Sequence, residues 1–541
     1  MVKSNRITGM LCLLCAAIAA LYGQFLSSPL VFDDLPFFML DNEGNQPVSG
    51  YHFGLFELRS LPYASLAWTN AWFGLDLFNF RVGNLLLHGA VVLTLFNFLS
   101  GLFAAVGDGN NNTAGLTPRL AAFFAALLFA LHPVSTYAVG YLVQRSIVMA
   151  TLFSLLALMV YVQGSIRQKP LLLWLSVPFY YLAVFSKEHA IMLPTVMLAL
   201  TMLLHEDWWT KLKQRWGIFT ALAMIAAFVL LTRKGILGSV YEIEASEMLR
   251  VNEVELSYPL SIVTQSWLFF KYAWLWIFPN PAWMSIDMRE PFARSLVSPY
   301  LISVVAFCVW GASAFWLLFK RGRVGLAGLA MLFPWLMFFT EFSSVRIQEV
   351  FVLYRSYLWA PGAFCLIPLI FSRINSRIAA FVLTLLALAM FPMSMDRLMT
   401  LSHPVLLWDD AERLLKGHTD LPGVHRIYYN RGTELIKIDN LDQAIADLKQ
   451  SIAVSREFSE ANGNLGAAYF KKGDWLSAIS AFSKAIEIAH GTGQPLSPRY
   501  LYGRAQAFEN MGELQKAQVD YKESCRLAKR GCEKLSGSRL N

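Results

Sequence analysis

A series of long apolar segments in the first 400 residues constrains this chain most. The first segment, from Ile7 to about Leu26, is long enough to cross a bilayer, which requires about 20 apolar residues in a helix. Only 15% of the 541 residues are charged, whereas an average soluble protein has about a quarter. Because backbone groups in lipid must be hydrogen-bonded internally, we predict an all-α, polytopic membrane bundle over residues 1–400.

The positive charges orient these segments and give no sign of a nucleic-acid partner. The net charge is +8, but the basic residues are spread over short loops and the C-terminal region, whereas nucleic-acid binding requires a concentrated basic face. Lys3 and Arg6 precede the first segment, and no small-residue cleavage site follows it. We therefore interpret it as an uncleaved helix with a cytoplasmic N-terminus. The same rule places a Gly- and Asn-rich loop ending at Arg119 inside and the loop from Asn42 to about Arg81 outside.

One segment decides the number of spans. Pro259 to Phe278 is apolar enough to cross, but it contains Gln265 and Lys271. If it crosses, the basic cluster at residues 320–323 lies outside, against the positive-inside rule. We therefore interpret it as re-entrant or interfacial and predict about eleven spans in a bacterial inner membrane, the last from about Ile378 to Met395.

A repeated pattern begins at about Ser402, where the composition becomes that of a soluble domain. Ala444 and Ala478 are about 34 residues apart, which is the tetratricopeptide period, and a third copy follows at Ala517. We predict three helical pairs in a short solenoid over residues 401–541, on the periplasmic side. Such solenoids usually bind an extended peptide or a partner helix.

Two adjacent carboxylates, Asp33 and Asp34, follow the first span at the outer end of the bundle. Such carboxylates can accept a proton from a nucleophile or hold a divalent ion such as magnesium or manganese, for which Asp34 is the candidate ligand. The alternative is that the pair caps a short interfacial helix.

Further polar residues fall at or near membrane depth, where each costs a few kcal/mol unless it faces a cavity or a partner. Each has an ordinary explanation as well: His88 could be a hydrogen-bonded core histidine, His132 could mark a helix end, and Arg145 could extend to the interface. The groups 187–189 and 346–355 could be salt-bridged loops. On the predicted topology the external side carries Arg59, His132, Arg145, Lys187, His189, Arg346 and Arg355, with His88 and Glu341 within about two turns of it.

This crowding of acids and bases on one membrane face indicates a function. Guanidinium and ammonium groups pair with the oxygens of a lipid-linked phosphate. A nearby carboxylate could activate an acceptor hydroxyl, alone or through a metal ion. The pattern therefore favours an enzyme that uses a lipid-phosphate sugar donor.

Short motifs that contain these residues follow one another in a definite order. They are Phe32-Asp33-Asp34, Arg59-Ser60-Leu61-Pro62, Phe80 to His88, His132-Pro133-Val134, Gln144-Arg145, Ser186-Lys187-Glu188-His189 with Pro194, Phe278-Pro279, and Glu341 through Glu349 to Tyr354-Arg355-Ser356-Tyr357. In this order they resemble the transmembrane and tetratricopeptide-repeat-containing O-mannosyltransferases and their bacterial relatives of the GT-C glycosyltransferase class. The chain departs from the family pattern at Ser60-Leu61, which separates an arginine–proline pair, and at Ser135-Thr136-Tyr137, where an acid is common.

The resemblance implies a GT-C fold, an extracytoplasmic active site and a polyprenyl-phosphate sugar donor. It also implies transfer to Ser or Thr hydroxyls of an exported protein, which the repeats would bind. Asp33 and Asp34 are the predicted catalytic residues, one as base or metal ligand. The predicted donor- and substrate-binding residues are Arg59, His88, His132, Gln144, Arg145, Lys187, Glu188, His189, Lys271, Glu341, Arg346, Glu349, Arg355 and Tyr357.

Two alternatives remain open from the residues themselves. A GT-C enzyme could glycosylate a lipid or a polysaccharide, or the chain could be a membrane scaffold or transporter that acts through its repeats. A transporter often has two related halves with charges near mid-membrane, which this sequence does not display. Separately, Cys525 and Cys532 could form a disulfide if they face an oxidising compartment.

Overall fold

The computed structural model describes residues 2–39, 47–107, 115–232, 256–297, 299–347 and 349–536, and its regular elements in these ranges are helices. Most of the predicted Gly- and Asn-rich inside loop, and the first residues of the loop from Asn42, lie outside these ranges. The chain divides into two compact units. The membrane unit extends to Ser402, and the repeat unit contains His403–Asn541 together with the short segment Ser285–Glu290.

The membrane unit consists of α-helices joined by short 3-10 helices. In chain order the α-helices are α1 (Val2–Tyr22), α2 (Asp34–Phe38), α3 (Ser60–Phe73), α4 (Leu77–Val106), α5 (Pro118–Ala130), α6 (Pro133–Val139), α7 (Arg145–Arg167), α8 (Pro170–Ser186), α9 (Leu193–Leu204), α10 (Trp208–Gln214), α11 (Trp216–Thr232), α12 (Ser257–Ile277), α13 (Tyr300–Phe319), α14 (Gly322–Phe338), α15 (Ile367–Ile370) and α16 (Ser376–Leu401). The 3-10 helices are Gly23–Phe25, Pro47–Gly50, Leu142–Gln144, Glu188–Met192, Pro281–Trp283, Phe339–Phe342, Leu353–Leu358 and Ala360–Leu366.

Several of these helices are long and apolar enough to cross a membrane. The six candidates are Arg6–Phe25, Leu77–Val106, Leu142–Arg167, Tyr300–Phe319, Gly322–Phe342 and Ser376–Leu401. Two bent pairs, α5 with α6 at 64° and α10 with α11 at 70°, make eight if each pair is one span. These helices indicate an integral membrane protein with six to eight candidate spans among the described residues, fewer than the eleven predicted. The helix α12, predicted to be re-entrant or interfacial, does not reach the apolarity of the six.

The membrane helices pack closely on one another and expose apolar side chains outward. A Cβ atom on Gly328 of α14 would lie 2.3 Å from the backbone nitrogen of Leu318 in α13, so these two backbones approach each other as only a small residue permits. On α16, by contrast, Phe381, Leu385 and Leu388 are exposed at helical spacing. Lipid is the solvent that suits such a face.

The repeat unit contains one initial helix, three helical pairs and a short final helix. They are α17 (Pro404–Leu415), the pairs α18 (Val424–Lys437) with α19 (Leu441–Val454), α20 (Ser459–Lys472) with α21 (Trp475–Thr492), and α22 (Pro498–Asn510) with α23 (Leu514–Ala528), and α24 (Glu533–Ser536). Gly466 shows why small residues recur, because a Cβ atom there would lie 2.7 Å from the ring of Phe482 in the paired helix. The three predicted helical pairs are present.

A disulfide joins Cys525, at the end of α23, to Cys532, just before α24. Their Cα atoms are 5.0 Å apart, which is within the range that a disulfide requires.

Candidate functional site

The membrane unit contains a cavity of about 810 Å³ where several helices end or break. Its wall comes from the turn before α2, the start of α3, the residues after α8, the end of α11 and the 3-10 helices that follow α14. Irregular backbone is tolerated in a membrane protein where it lines a cavity. The acidic, basic and histidine residues in the wall are Asp33, Arg59, Lys187, Glu188, His189, Arg346, Glu349 and Arg355.

The two adjacent acids have different surroundings. The backbone N–H of Asp33 donates to the Tyr141 hydroxyl at 2.8 Å, and Asp33 lines the cavity. Asp34 is fully buried, and its carboxylate accepts the backbone N–H groups of Val143 at 2.8 Å and Leu142 at 3.4 Å. Asp33 therefore lies at the cavity wall, whereas Asp34 is buried and hydrogen-bonded to the backbone.

Burial changes the acidity of Asp34. Loss of hydration raises the pKa of its carboxyl to about 7, although the nearby Arg81 charge and the two amide hydrogen bonds act in the opposite direction. The role of Asp34 as a metal ligand stays a prediction, because each of its carboxylate oxygens has a lone pair beyond the one that accepts an amide N–H. Among the described residues, no three His, Cys, Asp or Glu side chains cluster as metal ligands do.

An ion pair fixes one side of the cavity. The Arg59 guanidinium donates through Nε to Glu188 at 3.0 Å, and the Arg59 backbone N–H donates to the Phe185 carbonyl at 2.7 Å. Burial opposes ionisation of Glu188, but the Arg59 charge and hydrogen bonds outweigh it and hold the pKa of Glu188 well below its usual range. The end of α8 and the start of α3 are thereby joined.

A second group of charges converges on Glu341, which lies behind the cavity wall. Its carboxylate is 3.2 Å from Arg355, 3.6 Å from Arg346 and 3.4 Å from Nε2 of His189. Arg355 also lies 3.6 Å from the Glu349 carboxylate. Glu341 therefore holds the two arginines in the wall, and both are compensated by carboxylates.

Lys187 differs from the three arginines. It lines the cavity with only 6% of its surface exposed, and its Nζ lies 5.8 Å from the centre of the Tyr354 ring. No carboxylate lies within ion-pair distance of its Nζ in the part of the chain that the structure describes. Burial lowers the pKa of Lys187 to about 7; Arg59, Arg355 and Arg346 act in the same direction, and Glu188 opposes them.

Three predicted binding residues lie in the core of the membrane unit. His88 Nδ1 is 2.7 Å from the hydroxyl of Tyr357, so these two residues are hydrogen-bonded to each other. His132 Nε2 is 3.1 Å from the Trp276 carbonyl, and its Nδ1 accepts the Val134 N–H at the start of α6. These contacts agree with the alternative interpretations of His88 as a hydrogen-bonded core histidine and of His132 as a residue at a helix end.

Arg145 and Lys271 also lie off the cavity wall. Arg145 donates to the Asn84 side chain at 2.7 Å and to the Phe80 carbonyl at 2.7 Å, which ties α7 to α4. Lys271 lies over the ring of Phe351, with Nζ 5.1 Å from its centre. Neither residue is placed where it would contact a ligand in the cavity.

The cavity wall also contains residues outside the predicted set. Tyr63, Tyr258 and Tyr354 line it, together with the predicted Gln144. Helical spacing could have indicated Tyr63, which lies four residues after Arg59 on the same face of α3. Tyr354 is next to Arg355 in the motif that carries the resemblance.

The family models and the curated relative match the repeat unit. Residues 425–458 and residues 457–530 each match a family model described as "Tetratricopeptide repeat". Over 86 residues in this region the chain is 38% identical to Protein O-mannosyl-transferase TMTC4 of Mus musculus, which is 16% of this chain and 12% of that protein. The chain therefore carries tetratricopeptide repeats at its C-terminal end, and its likeness to the mouse protein is partial and distant.

Solved structures resemble the chain only weakly. The crystal structure of MamA is 22% identical, with a TM-score of 0.22, over 26% of this chain and 76% of that one. The crystal structure of the APC/C hetero-tetramer Cut9–Hcn1 is 14% identical, with a TM-score of 0.20, over 86% of this chain and 80% of that one. Neither likeness supports an argument about the membrane unit.

Proposed function

We propose that this protein is an integral-membrane glycosyltransferase of the GT-C class that moves a sugar from a polyprenyl-phosphate donor to Ser or Thr hydroxyls of an exported protein. The observation that carries the proposal is the cavity in the membrane unit, which combines the Asp33 carboxylate with four cationic side chains. The motif order of the membrane unit and the partial match of the repeats to a protein O-mannosyl-transferase support the same class.

The cavity suits an amphiphilic donor because its wall has two kinds of surface. Ala226, Val229 and Leu230 of α11 line it with apolar side chains, against which an isoprenoid chain can pack. Lys187 provides charge for a phosphate, and the arginines in the wall provide N–H donors for its oxygens. Arg145 is not part of this proposal, because it lies off the cavity wall.

The reaction requires one base and a stabilised leaving group. The Asp33 carboxylate takes the proton from the acceptor hydroxyl as that oxygen bonds to the anomeric carbon of the sugar. The bond from this carbon to the phosphate oxygen breaks, and its electron pair leaves with the polyprenyl phosphate. Cations in the wall stabilise the negative charge that develops on that oxygen.

The repeats would bind the acceptor protein on the extracytoplasmic side. Disulfides persist in oxidising compartments, so the Cys525–Cys532 pair supports a periplasmic location for the repeat unit. Mass spectrometry of exported proteins and of membrane lipids from a deletion strain identifies the acceptor, because loss of glycopeptides indicates a protein and loss of a glycolipid indicates a lipid.

The experiment compares Asp33→Asn with Asp34→Asn in membrane vesicles supplied with polyprenyl-phosphate donors that carry radiolabelled hexoses. Asp33→Asn should lower the transfer rate by about 10²- to 10⁴-fold, because the amide cannot take the proton. Asp34→Asn should keep most of the activity, since Asn still offers an oxygen to the Val143 amide. Equal expression and monodispersity of both variants are the control, and an active Asp33→Asn protein would overturn the assignment.

A further inference from the structure

Among the described residues, three of the four cations at the cavity wall form ion pairs with carboxylates. Arg59 pairs with Glu188, and Arg346 and Arg355 share the carboxylate of Glu341. An arginine whose charge is already neutralised by a fixed carboxylate adds little net attraction for an anion. Lys187 has no such partner among the described residues and lies at the cavity wall.

We propose that Lys187 receives the phosphate of the donor and takes up one proton as the donor binds. This inference rests on the proposed function. A donor phosphate joined to both lipid and sugar is a diester with a single negative charge. One ammonium group in this cavity matches that charge, whereas a neutral amine does not.

The groups that face Lys187 explain why the proton enters with the ligand. Arg59, Arg346 and Arg355 repel a charge on its Nζ, Glu188 attracts it, and the Tyr354 ring lies beside it. Burial raises the pKa of Tyr354 above its ordinary value, so this hydroxyl stays protonated in neutral solution. Burial lowers the pKa of Lys187 to about 7, so the amine is mostly neutral above this pH in the empty cavity. The phosphate charge favours the ammonium form and draws a proton from solution.

The consequence is a donor affinity that depends on pH. Below about pH 7 Lys187 is already protonated, and binding requires no proton. Above that pH each unit should raise the donor Kd about tenfold, since an increasing share of the protein must first take up a proton. Lys187→Arg keeps its charge over this range and should remove the dependence.

Isothermal titration calorimetry of the full-length protein in detergent provides the test. The probe is a polyprenyl methyl phosphate, a diester whose charge is constant above about pH 6 because it lacks the second ionisation of a phosphate monoester. Titrations at about pH 8.5 in two buffers of different ionisation enthalpy count the protons taken up. We expect about one proton for the natural protein and almost none for Lys187→Arg.

Two further variants make the result specific. Lys187→Met should bind the probe weakly and without proton uptake at any pH. Lys169→Arg changes an exposed lysine directly before α8, whereas Lys187 directly follows this helix, and the variant should behave as the natural protein does. Binding without proton uptake, or the same uptake in the Lys187 variants, would overturn this inference and leave the proposed function standing. Failure of the natural protein to bind the probe at about pH 6 would overturn both.

Discussion

Phe32 and Arg59 have left-handed backbone conformations, with φ angles of +48° and +63°. Such a conformation costs a residue with a side chain about 1–3 kcal/mol and is often found at functional sites. Other positive φ angles, as at Gln168 and Lys416, occur where helices end. Phe32 directly precedes Asp33, and Arg59 itself lines the cavity. The left-handed conformations therefore occur beside Asp33 and at Arg59, two polar residues that line the cavity.

Asp34 provides a prediction about stability at the same scale. Its pKa is raised in the folded protein to about 7, so between about pH 4 and pH 7 the folded state binds more protons than the unfolded state. The free energy of unfolding should therefore fall as pH rises through this window, by up to about 1.4 kcal/mol per pH unit, and level off above it. Thermal melting of the detergent-solubilised protein should show this slope, and Asp34→Asn should lack it.

An exposed acid of the membrane unit serves as the control for this slope. Glu206 has 97% of its side chain exposed, so Glu206→Gln should keep the slope of the natural protein. If Asp34→Asn and the natural protein had the same slope, the burial of Asp34 would not be its cause.

At the scale of the elements, the three repeats differ in the contact that joins their paired helices: an ion pair in the first and third, and apolar side chains in the second. Arg431 and Asp447 form a bidentate ion pair in the first repeat, at 2.7 and 2.9 Å, and Arg504 and Asp520 do so in the third, at 2.7 and 2.8 Å. At the corresponding positions of the second repeat, Leu465 and Ala481 share an apolar cluster.

This difference predicts how the first repeat tolerates substitution. Asp447→Ala should destabilise it by about 1.5–3 kcal/mol, because Arg431 would lose its bidentate partner and keep only Asp409 and Glu412, at 3.2 and 3.4 Å. The double variant Arg431→Leu, Asp447→Ala copies the second repeat and should be much less destabilised. Hydrogen-exchange mass spectrometry on peptides of α18 and α19 measures both effects, with peptides of α22 and α23 as the internal control. Equal losses in the two variants would show that the pair itself is required.

On the scale of the whole molecule, the sidedness of the membrane unit and of the repeat unit is a prediction that labelling can test. Leu476 lies in α21 of the repeat unit and is 68% exposed. In right-side-out spheroplasts, Leu476→Cys should react with a membrane-impermeant maleimide beyond the level of the natural protein, because the repeats are expected to face the periplasm. Gln214→Cys, at the end of α10 beside Lys211 and Lys213, should react only after lysis, because the positive-inside rule places such a basic cluster in the cytoplasm. The reverse pattern would place the repeats in the cytoplasm.

Much of the architecture follows from local sequence patterns. The interpretation of His132 as a helix end agrees with α5, which ends at Ala130, before Pro133, because the proline cannot continue the hydrogen bonding of the helix. The period of about 34 residues predicted the three helical pairs. Apolarity and periodicity act over a few turns of chain, so they can be recognised without knowledge of the fold.

The surroundings of each polar residue depend on distant parts of the chain. Asp33 and Asp34 are adjacent, yet each is held by residues more than 100 positions away, at Tyr141, Leu142 and Val143. The sequence by itself therefore determined the helices, the repeats and the kinds of polar residue that a membrane cavity could use. Only the tertiary structure decided that Asp33 and Lys187 line that cavity while Arg145 ties α7 to α4, because the direction and partners of a side chain depend on which distant backbone packs against it.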